Sequence, residues 1–154
     1  MPLVWIIGLA IPLAVGGLAG WLTMGSMSTY SALVQLPLAP PPWVFPVVWT
    51  ILYLMMGIAS VLIWKADAPQ SEKKQTLMWY GMQLAVNFVW PLLFFSAGLY
   101  GIAFAWLILL LVLVVETIIR FRAISPVAAG VMVPYLLWLL FAAYLNAAIW
   151  LLNR

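Results

Sequence analysis

The chain has 154 residues, of which 68% are hydrophobic and 6% charged, and its mean hydropathy is +1.20. Soluble domains carry roughly 25% charged residues, so this chain lacks the polar surface to coat a water-facing globule, and lipid must be its main solvent. Cysteine and histidine are absent and the net charge is +3, which excludes disulfides, thiolate or imidazole metal ligation, cysteine nucleophiles and histidine acid–base work.

In lipid every backbone N–H and C=O needs an internal partner, leaving helices or closed barrels. Barrels read as alternating polar and apolar residues, whereas this chain has unbroken apolar runs such as Gly101 to Ile119. The predicted fold is therefore all-α, a single transmembrane domain built as a five-helix bundle. A helical span needs about 20 apolar residues, and five windows qualify, residues 3–24, 44–64, 76–97, 101–121 and 127–152.

The first window has no Lys or Arg ahead of it and is longer than a signal peptide's apolar core, so it reads as a retained span. Gly16 and Gly20 form a small-xxx-small pair that packs within the monomer or against a second copy. Between the first two spans, Gly25 to Pro42 is uncharged and ends in a proline run leading to Trp43 and Pro46. Proline runs are stiff and extended, and a connection this long reads either as a lid or as an interfacial loop with Trp43 in the aromatic belt.

On the second span Trp49 and Tyr53 lie one turn apart on one face. The stretch Lys65 to Lys74 is hydrophilic, with Pro69 and Ser71 read as a turn into a helix N-cap. On the third span Gln83, Asn87 and Trp90 share a face. Gly81 and Ala85 lie on nearly the opposite side, as a candidate homodimer contact. On the fourth span Glu116 precedes Arg120 by one turn, the favourable order for a helical ion pair that snorkels outward. Ser125-Pro126 caps the fifth span, where Trp138, Ala142 and Asn146 repeat at i+4. Buried amides in lipid face the bundle interior. There they either tie helices together or supply the polar anchors of a ligand cavity.

The cations Lys65, Lys73, Lys74, Arg120 and Arg122 flank the even-numbered connections. The positive-inside rule then predicts a cytoplasmic N-terminus, with the first loop and C-terminus outside. No basic groove with interleaved aromatics suggests nucleic acid.

Three blocks carry a likeness to a known family. The first is Tyr30-Ser-Ala-Leu33 with Pro40-Pro-Pro-Trp-Val-Phe-Pro-Val-Val-Trp-Thr-Ile-Leu-Tyr53 and Met56-Gly57. The second is Gln83-Leu-Ala-Val-Asn87-Phe-Val-Trp90 with Phe94-Phe95. The third is Val133-Pro-Tyr-Leu-Leu-Trp138 with Phe141-Ala142 and Leu145-Asn146. In order and spacing these blocks resemble the tryptophan-rich sensory protein and translocator protein family, once called peripheral benzodiazepine receptors.

The resemblance implies a cavity open towards the first loop that takes porphyrins such as protoporphyrin IX or haem, sterol-like lipids and drug-like ligands, with no required cofactor. By motif, Tyr30 and Trp43 would lie at the lid, and Trp49, Tyr53, Gln83, Asn87, Trp90, Trp138, Ala142 and Asn146 would line the cavity. The chain departs from the family at Thr29, where tryptophan is common, and at Gln35, Leu36 and Leu38, in place of a lysine-proline and a further tryptophan. The proposed cholesterol pattern fails after Tyr144, since the first cation is Arg154.

The expected role is a receptor or carrier for planar hydrophobic ligands in a bacterial membrane. The alternatives are light-dependent porphyrin degradation, which the resemblance allows for some bacterial members, and ion-coupled transport through Glu116.

Overall fold

The structure is a computed structural model and describes residues 2–26, 41 and 43–153. Tyr30 and most of the proline-rich first loop, including the predicted lid, lie outside the described residues. Five helices are long and apolar enough to cross a membrane. They are α1 (Pro2–Thr23), α2 (Val44–Lys65), α3 (Gln70–Pro91), α4 (Tyr100–Ile124) and α5 (Pro126–Asn153), with a short helical turn, Met24–Ser26, after α1. No strand occurs among the described residues.

Contacts run around the bundle in the order α1, α2, α5, α4, α3 and back to α1. Short connections make α3–α4 and α4–α5 antiparallel neighbours, while α2 and α3, also antiparallel, are not adjacent in this ring. The core between them is aliphatic and aromatic, with Met56, Leu107, Met132, Tyr135 and Leu139 wholly buried. Helix α1 is the least buried span, and its backbone comes closest to that of α2 where Gly8 faces Gly57. A Cβ on Gly57 would lie 2.8 Å from the Gly8 carbonyl oxygen, so only glycine permits this approach.

Two details differ from the sequence reading. Helix α3 begins at Gln70 instead of Thr76, with Pro69 at the N-cap position and no side-chain cap, so Ser71 sits inside the first turn. Hydropathy places the lipid boundary, not the helix boundary. A polar turn projecting into water keeps its backbone bonds and remains helical. By contrast, the Ser125 hydroxyl accepts the Ala128 N–H at 3.2 Å, capping α5.

At its other end α3 continues past Pro91 as a wider π turn, Leu92–Ser96, closed by Ala97 N–H donating to Leu92 O at 2.9 Å. The widened turn lets the adjacent residues Phe94 and Phe95 both point inward, and both are buried. Chain reversal follows at Gly98, whose φ of 65° is left-handed, with Leu99 N–H donating to Leu93 O at 3.0 Å.

Candidate ligand cavity

On the first-loop side of the bundle, α1, α2 and α3 enclose a cavity of about 710 Å³. The second half of α1 supplies Leu13, Gly16, Gly17, Gly20, Trp21 and Thr23. The start of α2 supplies Trp43, Phe45, Pro46, Trp49, Thr50 and Tyr53, and α3 supplies Asn87, Pro91 and Phe95. Glycine makes the α1 wall thin. The Tyr53 ring occupies the space a side chain would take at Gly16, and nothing lies within 4 Å of a Cβ at Gly17 or Gly20. Gly20 thus borders the cavity and packs against no other helix of this chain among the described residues.

No charged side chain lines the cavity among the described residues. Its polar groups are mostly committed. Thr23 donates to Ala19 O at 2.9 Å and Thr50 to Pro46 O at 2.6 Å. Deeper in, Tyr53 donates a short hydrogen bond to Asn87 Oδ1, and Asn87 Nδ2 donates to the Tyr135 hydroxyl at 2.8 Å. Tyr135 in turn donates to Gln83 Oε1 at 2.7 Å. This chain joins α2, α3 and α5 where an unmade hydrogen bond is expensive. An amide has two N–H groups and two acceptor lone pairs, and these two bonds use one of each on Asn87.

The predicted residues therefore separate into layers. Trp43, 67% exposed, stands at the rim, while Trp49, Tyr53 and Asn87 form the wall. Trp138 lies behind the wall, edge-on to Phe45 at 6.1 Å and to Trp49 at 6.5 Å. Its buried indole N–H has no partner among the described residues. Gln83 and Ala142 are buried in the core. Trp90 stacks on Phe94 at 5.1 Å and donates to Asn146 Oδ1 at 3.0 Å, while Asn146 Nδ2 donates to Tyr100 O at 2.8 Å. That pair ties α3 to α5 and α4. Gly81 and Ala85 lie exposed on the outer face of α3.

The sequence reading passed over the α1 contribution and Tyr135, the hub of the amide network. Tyr135 was legible as the first member of the buried face Tyr135, Leu139, Ala142 and Asn146, at helical spacing. No comparable signal marked α1, because glycine lines a cavity by what it lacks.

Glu116 and Arg120 form the predicted ion pair at 2.9 Å, with their side chains about one-third exposed, and Arg120 also lies 4.7 Å from the Trp79 ring centre. A partly exposed i,i+4 pair contributes roughly 0.3–0.5 kcal/mol. Glu116→Gln is accordingly expected to shift unfolding by less than about 0.5 kcal/mol and to leave ligand affinity unchanged. Loss of proton-gradient-driven uptake into proteoliposomes on that substitution would instead assign Glu116 a transport role.

These features define an integral membrane helical bundle with an internal, largely apolar cavity opening on its first-loop side. The TspO/MBR family model matches residues 8–151. The chain belongs to that family. It is 41% identical to the translocator protein of Ovis aries over 81% of this chain and 75% of the relative. It is 36% identical to the tryptophan-rich protein TspO of Archaeoglobus fulgidus, over 92% and 91% of the two chains. It is also 36% identical to the tryptophan-rich protein TspO of Chlorobaculum tepidum, over 80% and 78%.

Proposed function

We propose that the protein is a membrane receptor or carrier that holds planar hydrophobic molecules of the tetrapyrrole type, protoporphyrin IX or haem, between α1, α2 and α3. Family membership supports the receptor or carrier role. The observation that carries the ligand class is an apolar cavity of about 710 Å³, walled by Trp49 and Tyr53 with the Asn87 amide at its depth. Sites for small molecules have this make-up, a mostly apolar volume of about 300–1,000 Å³ with a few polar anchors.

Indole and phenol rings offer flat faces for stacking, and Asn87 can orient a polar ligand edge. An uncharged wall cannot neutralise carboxylates. Ionised propionates would therefore sit at the rim near Trp43, with the macrocycle inserted. Sterol-like lipids fit the same wall less specifically.

Tryptophan-quenching titration with protoporphyrin IX tests the reading. Trp49→Ala should weaken binding about tenfold, since an aromatic pair contributes roughly 0.5–1.5 kcal/mol beyond its buried area. Gly20→Leu, which fills the cavity from the α1 side, should abolish it. Unchanged affinity in both variants would remove this cavity as the site. Repeating the titration under illumination, and following new absorbing products, separates binding from light-driven conversion.

A further inference from the structure

The hydrogen bonds behind the first cavity run in one direction. Tyr53 donates to Asn87 Oδ1, Asn87 Nδ2 donates to the Tyr135 hydroxyl at 2.8 Å, and Tyr135 donates to Gln83 Oε1 at 2.7 Å. The far end is the Gln83 amide nitrogen, 3.9 Å from Met56 Sδ. Met56, Gln83 and Tyr135 are wholly buried, so this end cannot exchange its partner for bulk water. The near end meets the cavity, since Tyr53 and Asn87 both line it.

A relay of hydroxyls and amides has two self-consistent directions, because a hydroxyl both donates and accepts and an amide can turn end for end. In the reverse direction Gln83 would donate to Tyr135, Tyr135 to Asn87, and Asn87 to Tyr53. Asn87 spends one N–H and one lone pair either way, so only the two ends change. A thioether sulfur accepts weakly and cannot donate. Reversal would turn Gln83 Oε1 towards Met56 Sδ, setting two lone-pair bearers face to face in a sealed core, where an unmade bond is costly. At the cavity end the change falls on Tyr53. Its single proton is spent on Asn87 in the observed direction, which leaves only lone pairs for a ligand. In reverse, that proton would be left for the ligand.

We propose that Met56 and Gln83 are positioning residues that set the direction of this relay and, through it, the specificity of the cavity. Tyr53 then accepts a hydrogen bond from the ligand, and a ligand bearing an O–H or N–H is preferred to one that only accepts. The inference rests on the first cavity being the ligand site. Met56 lies outside the cavity lining, so it acts only through the chain of bonds.

Two flat probes with the same ring system test it by tryptophan-quenching titration in detergent: 1-hydroxypyrene, which donates, and 1-methoxypyrene, which only accepts. The readout is the ratio of their affinities, because a general loss of packing weakens both alike. Met56→Leu, a swap of similar volume that cores tolerate, should lower the preference for 1-hydroxypyrene about threefold, within the net worth of one hydrogen bond. Tyr53→Phe should lower it at least as far. Adding Met56→Leu to Tyr53→Phe should then leave the ratio where it is, because the ligand-facing end of the relay is gone. Probes that bind the unmodified protein in a ratio indifferent to Met56→Leu would overturn the proposal while leaving the cavity as the ligand site. So would a Met56→Leu effect that persists beside Tyr53→Phe. A preference that survives Tyr53→Phe has the same force, and it can be read even if Met56→Leu does not fold. Failure of both probes to bind the unmodified protein would sink the cavity as a ligand site, and the proposal with it.

Discussion

Replacing Asn87 with leucine should destabilise the bundle by about 1–3 kcal/mol, the cost of leaving a buried polar group without its partner. Asn87 is 1% exposed and accepts from Tyr53 while donating to Tyr135, so one substitution cuts two links among three helices. Tyr135 keeps an acceptor in Gln83, but the Tyr53 hydroxyl loses the partner it had. Individual interhelical hydrogen bonds in membrane proteins average about 0.6 kcal/mol. A loss well above twice that value would identify the orphaned phenol as the main cost.

The double variant Asn87→Leu/Tyr53→Phe separates the two effects. Removing both partners of a buried bond is far less costly than removing one, so the double variant should be more stable than Asn87→Leu alone. Thermal unfolding in detergent reads both. Ligand affinity should fall in each, because both residues stand in the cavity wall. If Asn87→Leu unfolds at the unmodified temperature, the network is not what holds α2, α3 and α5 together.

Gly57→Ala is expected to cost about as much, by a different route. A methyl group there would lie 2.8 Å from the Gly8 carbonyl oxygen and 3.0 Å from the Leu9 Cα, both backbone atoms that no rotamer change can move aside. Helix α1 must translate, and overpacking of this kind costs about 1–3 kcal/mol. The displacement should also weaken binding in the first cavity, since α1 forms one of its walls. Gly130→Ala is the matched control. Nothing lies within 4 Å of its Cβ, and alanine is the better helix former, so unfolding should stay the same or rise by up to about 0.5–1 kcal/mol. Equal stability in the two variants would show that the α1–α2 contact tolerates separation.

Composition and hydropathy alone determined that this chain is a membrane bundle of five helices. Lipid offers the backbone no hydrogen-bond partner, so long uncharged runs have only one way to satisfy themselves. Helical spacing likewise put Trp49 with Tyr53, and Gln83 with Asn87, on common faces, because 3.6 residues per turn is a property of the helix itself. Spacing within one helix says nothing of depth across the bundle, however.

Only tertiary packing decided that Asn87 reaches a cavity wall while Gln83, Trp90 and Asn146 lie behind it, bonded or stacked to Tyr135, Phe94 and Tyr100. It also decided that glycines of α1 shape the opposite wall, and that a π turn after Pro91 carries Phe95 into the same space. Which partner a buried amide finds, and which side of a helix is left unfilled, are set by neighbours distant in the chain. Local pattern contains no term for them.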